Sequence, residues 1–301
     1  MENSISNFES SLKSKETENF IDKVFYRPIA YKIALALKNS GITPNMITII
    51  SIFFGVAAGI LFYPENIWIN IAGIITLIFA NILDCVDGQL ARLTGIKSVM
   101  GRVLDGLAGD FWFITIYIAI ALRLGHHINS NLAWVLVSFA GASNLLQSNI
   151  TDYYKTLHLY FISLKKGEEF ETIERVKTKH ANMPNGINKA LYWLYVYYTI
   201  FQSKTTPQLQ KLLARLIAKY GEDFPENIRQ DLRKKNLKIM PFIDQTTFNG
   251  RSIVLFLSLI LSHFWSIALI IYLLYEIIVL NLFLIIARVI HENICKKYQV
   301  D

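Results

Sequence analysis

The feature that most limits the possible folds of this chain is a series of long apolar runs. A helix that crosses the hydrocarbon core of a bilayer, about 30 Å thick, needs roughly 20 mostly apolar residues. The runs that we predict to be transmembrane helices are 44–63, 67–87, 103–122, 131–150, 252–265 and 267–290. The sequence therefore predicts an all-α integral membrane protein with six transmembrane helices.

The composition agrees with a membrane protein. Hydrophobic residues make up 53% of the 301 residues and charged residues only 18%, which is too apolar for an ordinary soluble domain. The first 40 residues are polar and lack the basic start and apolar core of a secretory signal peptide. Cys85 and Cys295 are far apart and have no metal-ligand spacing, so we expect neither a structural disulfide nor a metal site from them.

The positive charge predicts the orientation in the membrane. An even number of spans places both termini on one side, and the connections assigned to the other side, 64–66, 123–130 and 263–266, contain Arg123 as their single Lys or Arg. The positive-inside rule makes the side with the termini cytoplasmic, in the inner membrane. Attraction to anionic headgroups explains the net charge of +7. We expect no nucleic-acid partner, since the chain has no binding motif for one.

The chain is predicted to have four parts. These are a cytoplasmic lead with an interfacial helix (1–40), the first four spans with the acidic motif (41–150), a helical cytoplasmic insert (151–248), and the last two spans with a C-terminal tail (249–301). Residues 1–15 are expected to be disordered. In the insert, the aromatic run LYWLYVYYTIF at 191–201 is too short to span and suits an interfacial or docked helix. The insert is either a helical cap or a separate binding module.

Acidic residues are concentrated in the stretch DCVDGQLARLTGIKSVMGRVLDGLAGD at 84–110. On one helix, Asp84, Asp87, Gly88, Ala91 and Arg92 have the i, i+3, i+4, i+7 and i+8 spacing of a single face. A short loop to an antiparallel helix would bring Asp105 near them, at the cytoplasmic surface.

Clustered carboxylates are costly to bury unpaired, and sets of oxygen ligands suit hard divalent cations. The small residues beside the acids leave space for a headgroup. The pattern predicts metal-assisted phosphoryl transfer, with two Mg²⁺ or Mn²⁺ ions.

This stretch resembles the signature of the CDP-alcohol phosphotransferase family, D-x₂-D-G-x₂-A-R-x₈-G-x₃-D-x₃-D. The residues that match in type and spacing are Asp84, Asp87, Gly88, Ala91, Arg92, Gly101 and Asp105. The resemblance implies that Asp84, Asp87 and Asp105 hold metal ions. It also implies that Asp84, Gly88, Ala91 and Arg92 border the CDP group.

The fourth acid of the signature departs from the family. That acid is expected to bind the second metal ion and to activate the acceptor hydroxyl, but Gly109 stands in its place and Asp110 follows. A π-bulge near Gly106 and Gly109 would turn Asp110 toward Asp105, so we predict that Asp110 is the catalytic base and a metal ligand. The alternative is that the base is lost.

Three cations are candidates for binding a phosphorylated acceptor alcohol. They are Arg102, Lys155 and Arg251, of which the last two are expected at the ends of spans. In the family, basic residues at such positions tend to face the acceptor. Plain interfacial anchoring is an equally good account of Lys155 and Arg251.

The predicted function is transfer of a phosphatidyl or related phospho-lipid group from a CDP-activated lipid donor to a small polar alcohol, with release of CMP. The expected partners are these two substrates and membrane lipid; a homodimer is left open. Three alternatives remain. They are transfer of a CDP-linked headgroup to diacylglycerol, a catalytically weakened scaffold that docks a partner through its insert, and a secondary transporter that uses Glu276 and the acids.

Overall fold

The computed structural model describes residues 8, 11–96, 99–163, 170–221 and 224–300, and within these ranges it contains helices and no strand. The helices are α1 (Arg27–Leu37, after a π-helical turn at Asp22–Tyr26), α2 (Pro44–Leu61), α3 (Ile67–Thr94), α4 (Val99–Leu124), α5 (Ser130–Ile162), α6 (Ile173–Asn182), α7 (Ile187–Thr205), α8 (Pro207–Tyr220), α9 (Glu226–Asn236), α10 (Met240–Gln245), α11 (Phe248–Leu261), α12 (Ala268–Leu274, continued by a π-helical turn at Tyr275–Leu280) and α13 (Asn281–Val300).

Local signals set the ends of the apolar helices. Thr43 caps α2, because its hydroxyl accepts a hydrogen bond from the backbone N–H of Met46, and Pro44 occupies the first helical position. The Asn66 side chain caps α3 in the same way. α3 ends at Gly95, whose φ of 73° is a left-handed conformation that glycine adopts without strain.

Four helices of the described residues are long and apolar enough to cross a membrane. They are Pro44–Leu61, Ile67–Thr94, Leu104–Leu124 and Ala268–Tyr298, which correspond to the first, second, third and sixth predicted spans. The protein is therefore a multi-pass membrane protein.

The other two predicted spans are helices, α5 and α11, but neither is among those four. α11 has only 14 residues. α5 contains amides that form internal hydrogen bonds, for example from Gln147 to Asn281 at 3.0 Å, and these residues lower its hydropathy.

The chain divides into two compact units. The first comprises residues up to Leu145 together with Arg251–Ile278, and the second comprises Leu146–Gly250 together with the residues from Val279 onward. The predicted division kept residues 249–301 together as one part. In the structure, residues 279–300 pack with the insert and not with α11. In the first unit α2 packs between α3 and α4, and α1 packs against α3.

The connections that were predicted to lie outside the membrane meet in the first unit. Arg123 is buried and donates to Asn70 Oδ1 and to Ser262 Oγ, both at 2.8 Å. His263 Nε2 lies 3.0 Å from the same Asn70 oxygen, and the Asn70 amide donates to the carbonyl groups of Leu61 and Pro64. The end of α11 therefore lies beside the α2–α3 connection and the end of α4.

Residues 11–15 of the N-terminal lead pack against the fold, contrary to the disorder predicted for 1–15; residues 1–7, 9 and 10 lie outside the described part of the chain. Ser11, Leu12 and Ser14 are buried, as are Thr17 and Glu18. Glu18 forms an ion pair with Arg27 at 3.1 Å. The reason is tertiary: this polar segment lies against the end of α3, where it finds hydrogen-bonding partners.

The second unit has its own apolar core. Its members come from the C-terminal half of α5, from α8, α9 and α10, and from α13. The buried Arg229 donates to the carbonyl of Tyr160 at 2.7 Å, and its guanidinium carbon lies 4.6 Å from the centre of the Phe224 ring. A smaller cluster of Val176, Tyr192 and Val196 joins α6 to α7.

Candidate metal centre and catalytic site

Three carboxylates come together where α3 and α4 approach one another. One oxygen from each of Asp84, Asp87 and Asp105 lies within 4.8 Å of the other two. Asp87 is buried, Asp84 is partly buried and Asp105 is exposed. The predicted proximity is confirmed, because the first two acids are three positions apart on one helix face and Asp105, on the next helix, lies at the same level.

Thr48 of α2 fixes the most buried of the three acids. Its hydroxyl lies 2.5 Å from Asp87 Oδ2, as a donor, and 3.1 Å from the carbonyl of Pro44. Sequence reasoning did not single out Thr48. A signal was available, since Thr48 is a polar residue on an apolar helix, one turn after the proline that opens it.

Arg92 folds back over the glycine of the motif. A Cβ atom added to Gly88 would lie 3.4 Å from Arg92 Nη2, so the absence of a side chain leaves room for the guanidinium. Arg92 Nε donates to the carbonyl oxygen of Ser11, and the neighbouring Gln89 donates to the Ser11 hydroxyl at 3.4 Å. The space predicted for a headgroup beside Gly88 is thus bordered by Arg92 and by the N-terminal segment.

The N-terminal segment also supplies positive charge near the acids. Arg27 and Lys13 attract the carboxylate of Asp84. Arg27 lies on α1, and its backbone carbonyl accepts a hydrogen bond from Gln89 at 3.3 Å. Neither cation was predicted to belong to the site, because nothing in the local sequence pattern links residues 13 and 27 to residue 84.

Asp110 does not join the three carboxylates. α4 is α-helical throughout the turn from 105 to 110, so the predicted π-bulge is wrong. On a regular helix Asp110 lies about 140° round from Asp105. Its charge is attracted by Arg251 instead. Among the described residues, a Cβ atom at Gly109, on the face of Asp105, would meet nothing within 4 Å beyond the backbone of its own helix.

Arg251 is one of the most completely buried side chains of the described residues. It donates to the Asn144 side-chain oxygen, lies 3.8 Å from Glu276 Oε2, and places its guanidinium 5.3 Å from the centre of the Phe113 ring. Glu276 also accepts a hydrogen bond from the Tyr272 hydroxyl at 3.2 Å. Arg251 therefore faces a buried polar cluster inside the first unit, and its acceptor-binding role stays a prediction.

The other two predicted acceptor ligands have different outcomes. Lys155 belongs to the second unit, where its ammonium group forms an ion pair with Asp244 at 3.0 Å. The side chain of Arg102 lies outside the part of the chain that the structure describes, although its backbone belongs to α4. The acceptor-binding roles of both residues stay predictions.

The donor set of the acid cluster fits a hard divalent cation. Three carboxylate oxygens within 4.8 Å of one another supply the oxygen ligands that Mg²⁺ and Mn²⁺ prefer, and they repel one another when no cation lies between them. Of the four acids predicted as metal ligands, Asp84, Asp87 and Asp105 meet this condition, and Asp110 does not.

Comparison with known proteins gives two matches. Residues 41–167 match the family model described as CDP-alcohol phosphatidyltransferase, and this range includes all three clustered acids. An archaetidylinositol phosphate synthase of Pyrococcus horikoshii is 40% identical over 91 residues. The match covers 30% of this chain and 47% of the relative, so the chain spans about half the length of the curated relative that it matches.

Proposed function

We propose that residues 41–167, which match the CDP-alcohol phosphatidyltransferase family model, form a domain of that kind, and that the protein transfers a phosphatidyl or related phospho-lipid group from a CDP-activated donor to an alcohol. The acceptor oxygen attacks the phosphorus that carries the lipid, the bond from that phosphorus to the oxygen bridging it to the CMP phosphate breaks, and CMP leaves. The observation that carries this proposal is the cluster of Asp84, Asp87 and Asp105 within the matched domain.

We assign the binding of divalent metal, two Mg²⁺ or Mn²⁺ ions, to these three acids. When bound, the metal supplies neutralisation of the diphosphate charge. Thr48 orients the carboxylate of Asp87. We assign the binding of a phosphate oxygen of the donor to Arg92, whose guanidinium lies beside Gly88.

We assign the general base to Asp110. It is the carboxylate next in sequence to the family position, which Gly109 occupies, and the space beside Gly109 is open for the acceptor hydroxyl or a water molecule. In this arrangement the acceptor hydroxyl, or a water molecule in contact with it, lies beside Gly109 and passes its proton to Asp110, which does not bind metal.

For the acceptor we propose a small phosphorylated polyol. The name of the Pyrococcus relative specifies an inositol phosphate headgroup. Arg102, Lys155 and Arg251 are the basic residues that we propose bind the phosphate group of such an acceptor.

We also propose that α5 and α11 cross the membrane, which gives six spans and a cytoplasmic site. The support is the cluster around Asn70, in which Ser262, after α11, accepts from Arg123 at the end of α4 and His263 lies 3.0 Å from Asn70 in the first turn of α3. Labelling single cysteines with a membrane-impermeant reagent tests this: a cysteine at His127 should react from outside the cell, and one at His180 only after the membrane is opened.

The activity is tested with the purified full-length protein in lipid nanodiscs. CDP-diacylglycerol or its archaetidyl counterpart is offered with Mg²⁺ or Mn²⁺ and a panel of alcohols that includes inositol phosphate, glycerol phosphate and serine. We expect CMP release and a new lipid in the mass spectrum, both lost in Asp87→Asn. If wild-type protein releases no CMP with any pair while it still binds metal, the scaffold alternative replaces this proposal.

A further inference from the structure

The helix α7 of the second unit has its polarity reversed. Its buried side carries Thr199, Gln202 and Ser203 besides Tyr192 and Val196. Its exposed side carries large apolar residues with the exposed fractions Trp193 47%, Leu194 44%, Tyr197 54% and Phe201 41%. In water, a helix normally turns its apolar face inward and its polar face outward.

A hydrogen bond from α7 to α5 holds the helix in this orientation, and two other buried hydroxyls are satisfied within α7. Gln202 donates from its amide to the backbone carbonyl of Asn149 at 3.0 Å. Thr199 and Ser203 donate to carbonyl groups of the preceding turn of α7. Rotating the helix to bury its aromatic residues would break the bond to Asn149, so the exposed apolar face belongs to the native fold.

The exposed residues form one continuous aromatic patch, defined here as Trp193, Leu194, Tyr197 and Phe201. The ring centres of Trp193 and Tyr197 are 4.2 Å apart. Phe201 follows Tyr197 by one further turn on the same face. A contiguous apolar patch of this kind marks an interaction surface, whereas single exposed apolar residues do not.

Positive charge predominates around the patch, where one acid, the exposed Asp152 of α5, accepts a hydrogen bond from the Tyr198 hydroxyl of α7 at 3.4 Å. From Arg175 to Gly221 the sequence contains eight Lys and Arg residues and no Asp or Glu. Two of these lysines, Lys189 and Lys204, lie near the two ends of α7, and the next helix, α8, exposes Lys211, Arg215 and Lys219. This excess of positive charge beside an apolar patch suits a partner surface that is apolar and bordered by negative charge.

We propose that α7 is a lipid-binding element that lies along an anionic membrane surface. The aromatic patch lies at the boundary between acyl chains and headgroups, and the lysines contact the anionic headgroups. Trp and Tyr are the residues that favour this boundary, and Lys residues beside an apolar face are attracted to anionic lipids. The multi-pass character of the chain keeps a membrane within reach of the second unit. This property is independent of the proposed catalytic activity.

The test is the depth of a spin label on the full-length protein in nanodiscs. Both native cysteines are buried, so a single introduced cysteine takes the label. The label is placed at Tyr197→Cys in the patch and, as a matched control, at Gln230→Cys, an exposed position of α9 in the same unit. Collision rates with oxygen, which enters lipid, and with a water-soluble nickel chelate are compared.

We expect the label at Tyr197→Cys to collide several-fold more with oxygen than with nickel in nanodiscs that contain phosphatidylglycerol, and the label at Gln230→Cys to show the reverse. Adding Lys189→Gln, Lys204→Gln and Lys211→Gln should abolish the difference between anionic and zwitterionic nanodiscs. Free access of nickel to residue 197 in both lipids overturns the proposal. So does protection from both reagents with spin–spin broadening, because that result identifies a second copy of the chain on the patch.

Discussion

The hydroxyl of Thr48 lies 2.5 Å from the carboxylate of Asp87, although 39 residues separate the two in sequence. The contact joins α2 to the most buried acid of the cluster. A hydrogen bond to a charged group contributes about 1.5–3 kcal/mol, so the position of this carboxylate depends on a residue outside the acidic motif.

Removing the Thr48 hydroxyl should weaken the metal site. We expect Thr48→Val, which keeps the size of the side chain, to lower kcat/KM by roughly tenfold and to raise the metal concentration for half-maximal activity. CMP release measured over a metal titration provides both values. Thr48→Ser keeps the donor and should remain close to wild type. Equal losses in the two variants would mean that packing, and not the hydrogen bond, is responsible.

Neutralising one acid should stabilise the metal-free protein. Because the three carboxylates lie within 4.8 Å of one another, they repel in the absence of a cation. We expect Asp105→Asn to raise the melting temperature in EDTA by a few degrees and to reduce the further rise on adding Mg²⁺. Glu226→Gln, an exposed acid of α9, is the control and should change neither value. A lower melting temperature for Asp105→Asn in EDTA would contradict the repulsion.

The assignment of Asp110 as the general base can be tested by moving the acid from position 110 to position 109. Asp110→Asn should lower kcat by about 10²–10⁴-fold, the usual contribution of a general base. Gly109→Asp restores the family pattern, and the open space there accommodates the side chain. The double variant Gly109→Asp/Asp110→Asn should therefore recover activity. Wild-type turnover by Asp110→Asn would remove Asp110 from the mechanism.

Alanine substitutions at two glycines of the first unit should change its stability in opposite directions. A methyl group at Gly55 would overlap the indole ring of Trp112, so Gly55→Ala should destabilise the α2–α4 contact by about 1–3 kcal/mol. Gly106 has open space around its Cβ direction, so Gly106→Ala should stabilise α4 by about 1 kcal/mol. Thermal unfolding in detergent measures both. Similar effects of the two substitutions would show that α2 and α4 do not approach as described.

Arg251 and Glu276 should be energetically coupled. Each side chain is buried, and the two charges are 3.8 Å apart. Arg251→Met leaves an uncompensated buried carboxylate and should cost about 3–5 kcal/mol, as should Glu276→Leu for the reverse reason. The double variant should cost much less than the sum of the two single variants. Additive losses in a thermal-unfolding cycle would rule out the coupling.

Local periodicity predicted the parts of the fold that depend on neighbouring residues. The apolar runs located α2, α3, α4 and the last long helix as membrane-spanning candidates. The spacing of Asp84 and Asp87 placed both on one face of a helix, and the short loop before α4 was enough to bring Asp105 to them. Prediction worked here because each step spans only a few helical turns.

Contacts between distant residues were not predictable in the same way. The sequence predicted a disordered lead over residues 1–15, since nothing near them in sequence offers a partner. In the structure the carbonyl and hydroxyl of Ser11 bind Arg92 and Gln89, about 80 residues further on. Arg251 read equally well as an acceptor ligand or an interfacial anchor, but Asn144 and Glu276 hold it inside the first unit.

The sequence by itself determined a helical membrane protein with three acids poised to meet, because helical periodicity and hydropathy are properties of short segments. Only the tertiary structure decided that the N-terminal segment borders the site, that Asp110 faces away from the three acids, and that α7 exposes its aromatic side. Each of these outcomes depends on which distant group satisfies a buried hydrogen bond or charge, and no local pattern specifies that partner.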